Sequence, residues 1–189
     1  NPCSEIILRP YQFCNLSEVV VRESDDLISL RSKVRIATIL GTFQSTLTDL
    51  KYLRKIWRIN TEEERLLGVS LTGIMDNYVL ARQVDSKVWL QEMKQVAVDT
   101  NKEYAEKIGI PRSTAITCVK PSGTVSQLTD SASGIHARHN PFYVRTVRGD
   151  NKDPLTQFMK EENIPFEPDI TKPDSVTVFS FPMKSPSGA

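Results

Sequence analysis

The sequence predicts an α/β fold in which strands and helices alternate and most strands are parallel. Short apolar or β-branched runs recur along the 189 residues, and amphipathic stretches with helical spacing separate them. The predicted order is strand, helix, strand, helix, strand, helical turn, strand, helix, strand. This order is typical of layered or barrel α/β proteins, because a helix after each strand lets the next strand run in the same direction.

The first strand region and the first helix are predicted from different spacings. Ile6, Leu8 and the valines at 19–21 indicate β structure on both sides of a loop that carries Pro10 and Cys14. A long helix follows, with Ser24 as its predicted N-cap and acidic residues in its first turn. Its buried face is predicted from residues at helical spacing, namely Leu27, Leu30, Val34, Ala37 and Thr38.

A short buried strand and a second long helix come next. The run from Gly68 to Ile74 is apolar and contains glycine, which indicates a strand at a place where a side chain would obstruct. Residues 86–108 have helical spacing, and Gly109 is the predicted stop. One face of this helix carries Trp89, Met93, Val96, Ala97, Thr100 and Tyr104.

The last third of the chain alternates in the same way. Residues 115–119 predict a strand, 120–126 a strand-to-helix turn, and 142–148 another strand. A short helix is predicted over 153–163, and a final strand over 176–181 that Pro182 closes.

Composition excludes several classes of function. The 24 Lys and Arg nearly cancel the 23 Asp and Glu, so no overall field attracts nucleic acid or an anionic membrane, and neither is expected as a partner. No apolar run approaches the roughly 20 residues of a membrane span, which predicts a cytoplasmic protein. Three cysteines are too few for a secreted disulfide framework and indicate thiols kept reduced for chemistry or packing.

The opening residues place three reactive side-chain types together. In an extended segment Asn1, Cys3 and Glu5 point the same way, about 6 to 7 Å from one to the next. An amide, a thiol and a carboxylate on one face could contact neighbouring atoms of a sugar. Cys14 follows across a predicted turn. Taken singly, Cys3 also fits a small buried hydrophobe, and Glu5 a solvated surface charge.

The turn at residues 120–128 is a candidate phosphate site. Backbone amides and hydroxyls of Pro121, Ser122, Gly123, Thr124 and Ser126 lie where a strand gives way to a helical turn. The spacing is not that of a Walker A loop, and such a turn alone also fits a simple helix cap.

One cysteine and two histidines near this turn are predicted to have supporting roles. Cys118 is predicted to be a buried strand thiol behind the 120–128 turn. His136 and His139 are too few for a convincing metal site, so no metal is predicted, and they are read as orienting the loop or the substrate.

These segments together resemble a known family. NPCSE followed by CNLSEV resembles the finger loop of ribonucleotide reductases, and VKPSGTVSQL and GIHARHNPFYVRTVR resemble its adenosylcobalamin-dependent, class II, ribonucleoside-triphosphate reductase group. The resemblance implies that residues 1–189 are about half of a ten-stranded α/β barrel, with a finger loop at 1–18 threaded through its centre and a phosphate-binding turn at 120–128.

The resemblance also implies a reaction, reduction of ribonucleotides to 2′-deoxyribonucleotides for DNA replication. Cys3 matches the cysteine that becomes a thiyl radical and removes the ribose 3′ hydrogen, and Glu5 the carboxylate that accepts the 3′-hydroxyl proton. Asn1 matches the amide that binds substrate hydroxyls. Cys14 matches one member of the redox-active pair that supplies electrons. The implied cofactor is adenosylcobalamin, and the substrate a ribonucleoside di- or triphosphate.

Further partners follow from the same resemblance. The second redox cysteine is expected on an N-terminal half of the same enzyme, upstream of Asn1, and a thioredoxin-type reductant is expected to restore the pair. The chain begins with Asn at its own active site, so we expect a fragment that acts only when assembled with the rest of the barrel. Two alternatives stay open, namely a class I large-subunit fragment and a non-catalytic nucleotide-binding remnant.

Overall fold

A computed structural model describes residues 4–82 and 84–187 and confirms a mixed α/β fold, in two compact units. The first unit extends to Arg138 and the second comprises His139–Ser187. In chain order the first contains β1 (Asn15–Val20), α1 (Leu27–Gln44), α2 (Lys55–Glu64), β2 (Leu67–Thr72), a 3₁₀ turn (Ile74–Asp76), α3 (Tyr78–Arg82), α4 (Ser86–Ile108) and α5 (Gly123–Leu128). The second contains β3 (Phe142–Asp150), α6 (Pro154–Glu161), β4 (Phe166–Pro168) and β5 (Val176–Lys184).

The sheet of the first unit is parallel, as predicted. β1 and β2 pair in register from Asn15 opposite Leu67 to Val20 opposite Thr72. The strand predicted over 115–119 is reduced to a single parallel bridge between Thr117 and Val69. Backbone hydrogen bonds still join it to β2, because the Val69 amide donates to Ile116 and the Cys118 amide donates to Val69.

Helix α1 confirms the predicted spacing and corrects the predicted cap. Leu30, Val34 and Ala37 are buried on one face. The N-cap is Asp26 and not Ser24, because a capping box forms at Asp26: its carboxylate accepts from the Ser29 amide, and the Ser29 hydroxyl accepts from the Asp26 amide.

Helix α4 packs against α1 and ends where predicted, at Gly109, whose φ of 73° lies in the left-handed region. Met93 and Ala97 are buried on the predicted face, and Trp89 packs against the same core. The core between the helices and one face of the sheet comprises Val19, Val21, Leu30, Val34, Ala37, Val69, Leu80, Met93 and Ala97.

Helix α2 was not predicted. Its ten residues are rich in charge, and Thr61 is its one buried residue, so no apolar stripe marks it in the sequence. Its C-cap is Arg65, whose φ is 45° and whose guanidinium donates to the Ser45 carbonyl. The helix contacts the loop before β1 through Asn60 and Glu64.

The second unit overturns the expectation of largely parallel strands. Its sheet has the order β3-β5-β4, and both pairings are antiparallel. Pro182 does not close β5, because it lies inside the strand opposite Val144. The Ser180 amide donates to Pro165 on the β4 side, so the Pro182 nitrogen faces the same side beyond the end of β4, where no ladder hydrogen bond is lost.

Two expectations about the whole chain have different outcomes. The observed strands do not confirm half of a barrel, because the first unit pairs two strands and the second forms a separate three-stranded sheet. Within the described ranges, no helix is long and apolar enough to cross a membrane.

Candidate functional site

One face of the β1–β2 pair carries the polar residues of the candidate site. Because side chains alternate along a strand, Leu16 and Glu18 share a face with Gly68 and Ser70, which lie opposite them in register. The other face carries Val19 and Val69, which pack in the helical core. The side of the sheet that carries Glu18, here called the Glu18 face, therefore points away from the core formed with α1 and α4.

Gly68 allows the segment before β1 to lie on this face. A Cβ at Gly68 would come within 2.5 Å of Leu16 Cδ2, 2.8 Å of Ile6 Cδ1 and 3.1 Å of Cys118 Sγ. The prediction that a side chain would obstruct here is confirmed. The same distances show that residues 4–14, here called the N-terminal loop, bring Ile6 close to Cys118 of the 115–119 segment above Gly68.

The two thiols of this region are kept protonated. Burial raises the pKa of Cys14 to about 12, and the charges of Cys118 and Glu5 add to the shift. Burial likewise raises the pKa of Cys118 to about 11, with Glu5 and Glu18 adding to it. Both cysteines are free and half-buried, so at neutral pH each carries the S–H form.

Glu5 contributes a carboxylate with spare hydrogen-bonding capacity. Its Oε2 is buried and has no hydrogen-bond partner in the part of the chain that the structure describes. A buried acceptor without a donor is costly in a folded protein unless a ligand completes it. Glu5 and Cys14, both predicted site residues, therefore lie in one electrostatic environment together with Cys118.

The remaining predicted residues of the opening lie outside this description. Asn1 and Cys3 are not among the described residues. Ser4 has a φ of 55°, in the left-handed region, so the chain is not extended there. The expectation of an extended backbone through this segment is therefore wrong at Ser4, where the backbone turns.

Helix α2 holds the N-terminal loop in place. The Gln12 amide donates to Glu64 Oε2 at 2.7 Å, and Asn60 donates to the Pro10 carbonyl at 3.1 Å. Trp57 stacks on Phe13 with ring centroids 4.7 Å apart. The charged segment without a helical pattern is thus the element that positions Cys14.

The 120–128 turn is tied to the Glu18 face. Ser122 is fully buried, and its hydroxyl donates to Glu18 Oε2 at 2.8 Å. The Ser126 hydroxyl is also buried and donates to the Ser122 carbonyl. These two hydroxyls are committed to bonds within the protein. Gly123 and Thr124 are exposed, and a Cβ at Gly123 would meet nothing within 4 Å.

A second loop supports that turn from behind. The Ser133 hydroxyl donates to the Ser122 carbonyl at 2.8 Å. Gly134 has a φ of 54°, and a Cβ there would lie 2.9 Å from the Lys120 carbonyl oxygen. Only glycine fits this approach without displacing the backbone of the turn.

A buried ion pair anchors that loop. Arg138 donates from Nε to Asp76 Oδ1 and from Nη2 to Asp76 Oδ2, and the two side chains are 6% and 4% exposed. Asp76 also accepts from the Ala132 amide at 2.7 Å. The sequence did not indicate this pair, because the two residues lie 62 positions apart and no local pattern links them. His136 is exposed, and its amide donates to the Ser133 carbonyl.

No metal centre accompanies these groups in the described ranges. Across 4–82 and 84–187, no group of three or more His, Cys, Asp or Glu side chains is arranged to hold an ion.

Curated relatives share nearly the whole chain. It is 27% identical over 215 aligned positions to the adenosylcobalamin-dependent ribonucleoside-triphosphate reductase of Lactobacillus gasseri, covering 98% of this chain and 28% of that protein. The enzyme of the same name from Euglena gracilis is 26% identical, over 97% of this chain and 25% of its own length. No family model matches. The resemblance found in the motifs is thus confirmed, and the chain spans about a quarter of these relatives.

A solved structure shares the fold. The chain superposes on a B12-dependent, class II, ribonucleotide reductase with a TM-score of 0.81, at 24% identity, over 100% of this chain and 29% of the other. The α/β fold described above is therefore the fold of the corresponding part of that enzyme.

Proposed function

We propose that this chain supplies the finger loop and the substrate phosphate site of an adenosylcobalamin-dependent ribonucleotide reductase. The observation that carries the proposal is the joining of Glu5, Cys14 and the 120–128 turn to one face of a parallel sheet. Relatives bearing that enzyme's name along 98% of the chain support it.

Each residue of the opening would have a distinct task. Cys3, as a thiyl radical, would remove the ribose 3′ hydrogen, while Asn1 holds substrate hydroxyls. Glu5 would accept the 3′-hydroxyl proton, and its buried unpartnered Oε2 supports a role as acceptor. Proton withdrawal there assists loss of the 2′-hydroxyl, a contribution commonly of about 10² to 10⁴ in rate.

Cys14 would provide half of the reducing equivalents. The 2′-hydroxyl leaves as water, the substrate gains hydrogen at that carbon, and two thiols become one disulfide, so two electrons are transferred. The raised pKa of Cys14 supports this role, because the S–H form supplies both the hydrogen and the electrons. The second thiol would come from an upstream part of the enzyme, and a thioredoxin-type reductant would restore the pair.

The chemistry of these donors fits the proposed cofactor. Adenosylcobalamin, when bound, supplies the radical that starts such a reaction. Hydrogen-atom transfer requires a thiol and not a thiolate, and burial keeps Cys14, the proposed hydrogen donor to the substrate, in the thiol form. The residues of this chain then bind the sugar, hold its hydroxyls and accept its proton.

The 120–128 turn would bind the substrate phosphates through its open side. Gly123 and Thr124 are exposed, and the hydroxyl and amide of Thr124 could donate to phosphate oxygens. Ser122 and Ser126 would shape the turn, because their hydroxyls bond within the protein. Pro121 is exposed beside them.

The rest of the barrel would cover the free side of β1. Among the described residues β1 pairs only with β2, and a groove beside it is lined by Val20, Lys33, Ile36 and Leu40. Ile36 and Leu40 are 56% and 61% exposed. We infer that a strand and a helix of the remaining enzyme pack here and complete a ten-stranded barrel. The assembled enzyme would act in the cytoplasm.

Turnover with and without cofactor tests the proposal. The complete protein should form deoxyribonucleotides from ribonucleoside di- or triphosphates only when adenosylcobalamin is added, and Cys3→Ser should abolish the product. Turnover that needs a separate metal-radical subunit would instead indicate a class I enzyme. Nucleotide binding without any reduction would indicate a non-catalytic remnant.

A further inference from the structure

One rung of the parallel sheet holds both ends of the Lys120–Pro121–Ser122 tripeptide. Glu18 on β1 lies opposite Ser70 on β2. The Ser122 hydroxyl donates to Glu18 Oε2 at 2.8 Å, and the Lys120 amide donates to Ser70 Oγ at 3.1 Å. Two neighbouring side chains therefore fix the backbone on either side of Pro121.

The burial of these partners makes the two bonds specific. Ser122 is 0% exposed and Ser70 is 1% exposed, so water cannot replace a lost partner without moving the turn. From the other side, the Ser133 hydroxyl bonds to the Ser122 carbonyl and Gly134 lies against Lys120. The turn is thus held between the sheet and the loop at 129–138.

The negative charge of Glu18 favours a role in positioning the turn over direct contact with phosphate. A carboxylate repels phosphate, so Glu18 does not contact the anion that the turn is proposed to bind. Its Oε1 is buried and has no hydrogen-bond partner within the described ranges, whereas Oε2 is the atom that accepts from Ser122. Glu18 therefore provides the turn with a fixed hydrogen-bond acceptor for the Ser122 hydroxyl.

We propose that Glu18 is a positioning residue for substrate phosphate binding, acting with Ser70 to hold the 120–128 turn in its binding conformation. This inference rests on the proposed function of the turn. Removing the acceptor frees a buried hydroxyl and lets the turn shift. We expect roughly tenfold weaker binding of a ribonucleoside triphosphate, with little change for the matching ribonucleoside, which has no phosphate.

The experiment compares variants at Glu18, Ser70 and Ser122 of the complete protein with one control. Glu18→Ala removes the acceptor, Glu18→Gln keeps it and removes the charge, and Ser70→Ala removes the second bond. Glu161→Ala is the control, because Glu161 is exposed in the second unit. Calorimetry measures Kd for a ribonucleoside triphosphate and for its nucleoside, and steady-state assays separate KM from kcat.

The expected pattern is specific to positioning. Glu18→Ala and Ser70→Ala should raise the triphosphate Kd and KM, and Glu18→Gln should restore both. The double variant Glu18→Ala, Ser122→Ala should bind the triphosphate no more weakly than Glu18→Ala alone, because the two substitutions remove the same hydrogen bond. If Glu18→Ala does not fold, Ser70→Ala and Ser122→Ala provide the same comparison.

Three results would overturn the inference. Unchanged triphosphate affinity in Glu18→Ala, or an equal loss for nucleoside and triphosphate, would show that the Glu18 bond does not position a phosphate site. Failure of Glu18→Gln to restore affinity would assign the effect to charge. If the unaltered protein binds triphosphate no better than nucleoside, the phosphate site itself is absent, and the proposed function fails separately.

Discussion

The Glu18 face and the loop at Asp169 differ in how they satisfy their buried carboxylates. On the Glu18 face, Glu5 and Glu18 each bury one oxygen that has no partner among the described residues. In the second unit, Asp169 accepts from the Thr171 hydroxyl and amide, the Lys172 amide and the Arg148 guanidinium. A satisfied carboxylate stabilises a fold, whereas incomplete ones collect where a ligand is to be bound.

The largest expected effect separates the two half-buried thiols. Cys14→Ser should abolish steady-state deoxyribonucleotide formation, because the redox pair would lose one sulfur, and product formation with the reductant present measures it. Cys118→Ser is the matched control, since its pKa is raised by burial in the same way and no reducing role is assigned to it. Loss of activity in both variants would show that Cys118 is also needed for turnover.

The next effect tests the incomplete carboxylate of Glu5. Glu5→Gln keeps the shape and an acceptor oxygen but cannot take a proton, so we expect kcat to fall by about 10² to 10⁴. The melting temperature should not fall, because the buried Oε2 has no hydrogen-bond partner to lose among the described residues. The control is Glu167→Gln on β4, which is exposed. A stability loss without a loss of kcat would place Glu5 with the structural carboxylates.

A glycine pair tests whether the N-terminal loop must lie against β2. Gly68→Ala should shift Ile6 and Leu16 and destabilise the chain by about 1–3 kcal/mol, as overpacking does. Turnover should fall with it, because Cys14 lies between those two residues. Gly41→Ala in α1 is the control for added bulk, because a Cβ there would make only ordinary contacts, the nearest at 3.5 Å to Leu67 Cδ2. Thermal unfolding measures the stability of both variants, and a deoxyribonucleotide assay measures their turnover. Equal melting temperatures for the two variants would contradict the packing argument.

The smallest effect concerns Asp169. Bonds from Thr171 and from Arg148 hold the pKa of its carboxyl well below the usual range. A lowered folded-state pKa adds stability above the unfolded pKa of about 4, and that stability is lost as pH falls through the folded-state pKa. Asp169→Asn should therefore melt a few degrees lower at pH 7, and the difference should shrink in acid.

Thermal unfolding at pH 7 and at progressively lower pH checks this sign. Asp174→Asn is a suitable control, because Asp174 is exposed and contributes its backbone carbonyl to the hydrogen bond from Asn151. A difference between Asp169→Asn and the unaltered chain that grows as the pH falls would contradict the assignment.

Local patterns were sufficient for the elements with a clear apolar spacing. Helices α1 and α4 and strand β2 were predicted from residues such as Leu30, Met93 and Val69. Helix α2 was missed, because a helix that buries one threonine has no stripe to detect. The antiparallel sheet of the second unit was missed because alternation of element types does not specify strand direction when connections are short.

The sequence by itself determined the chemistry available: a thiol at Cys14, carboxylates at Glu5 and Glu18, and a serine- and glycine-containing turn after an extended segment. Those choices depend on residue type and near neighbours. The tertiary structure alone decided that Glu18 meets Ser122, which lies 104 residues later, and that Asp76 meets Arg138. Such contacts depend on strand register and loop packing, which sum over distant residues and leave no mark in a local pattern.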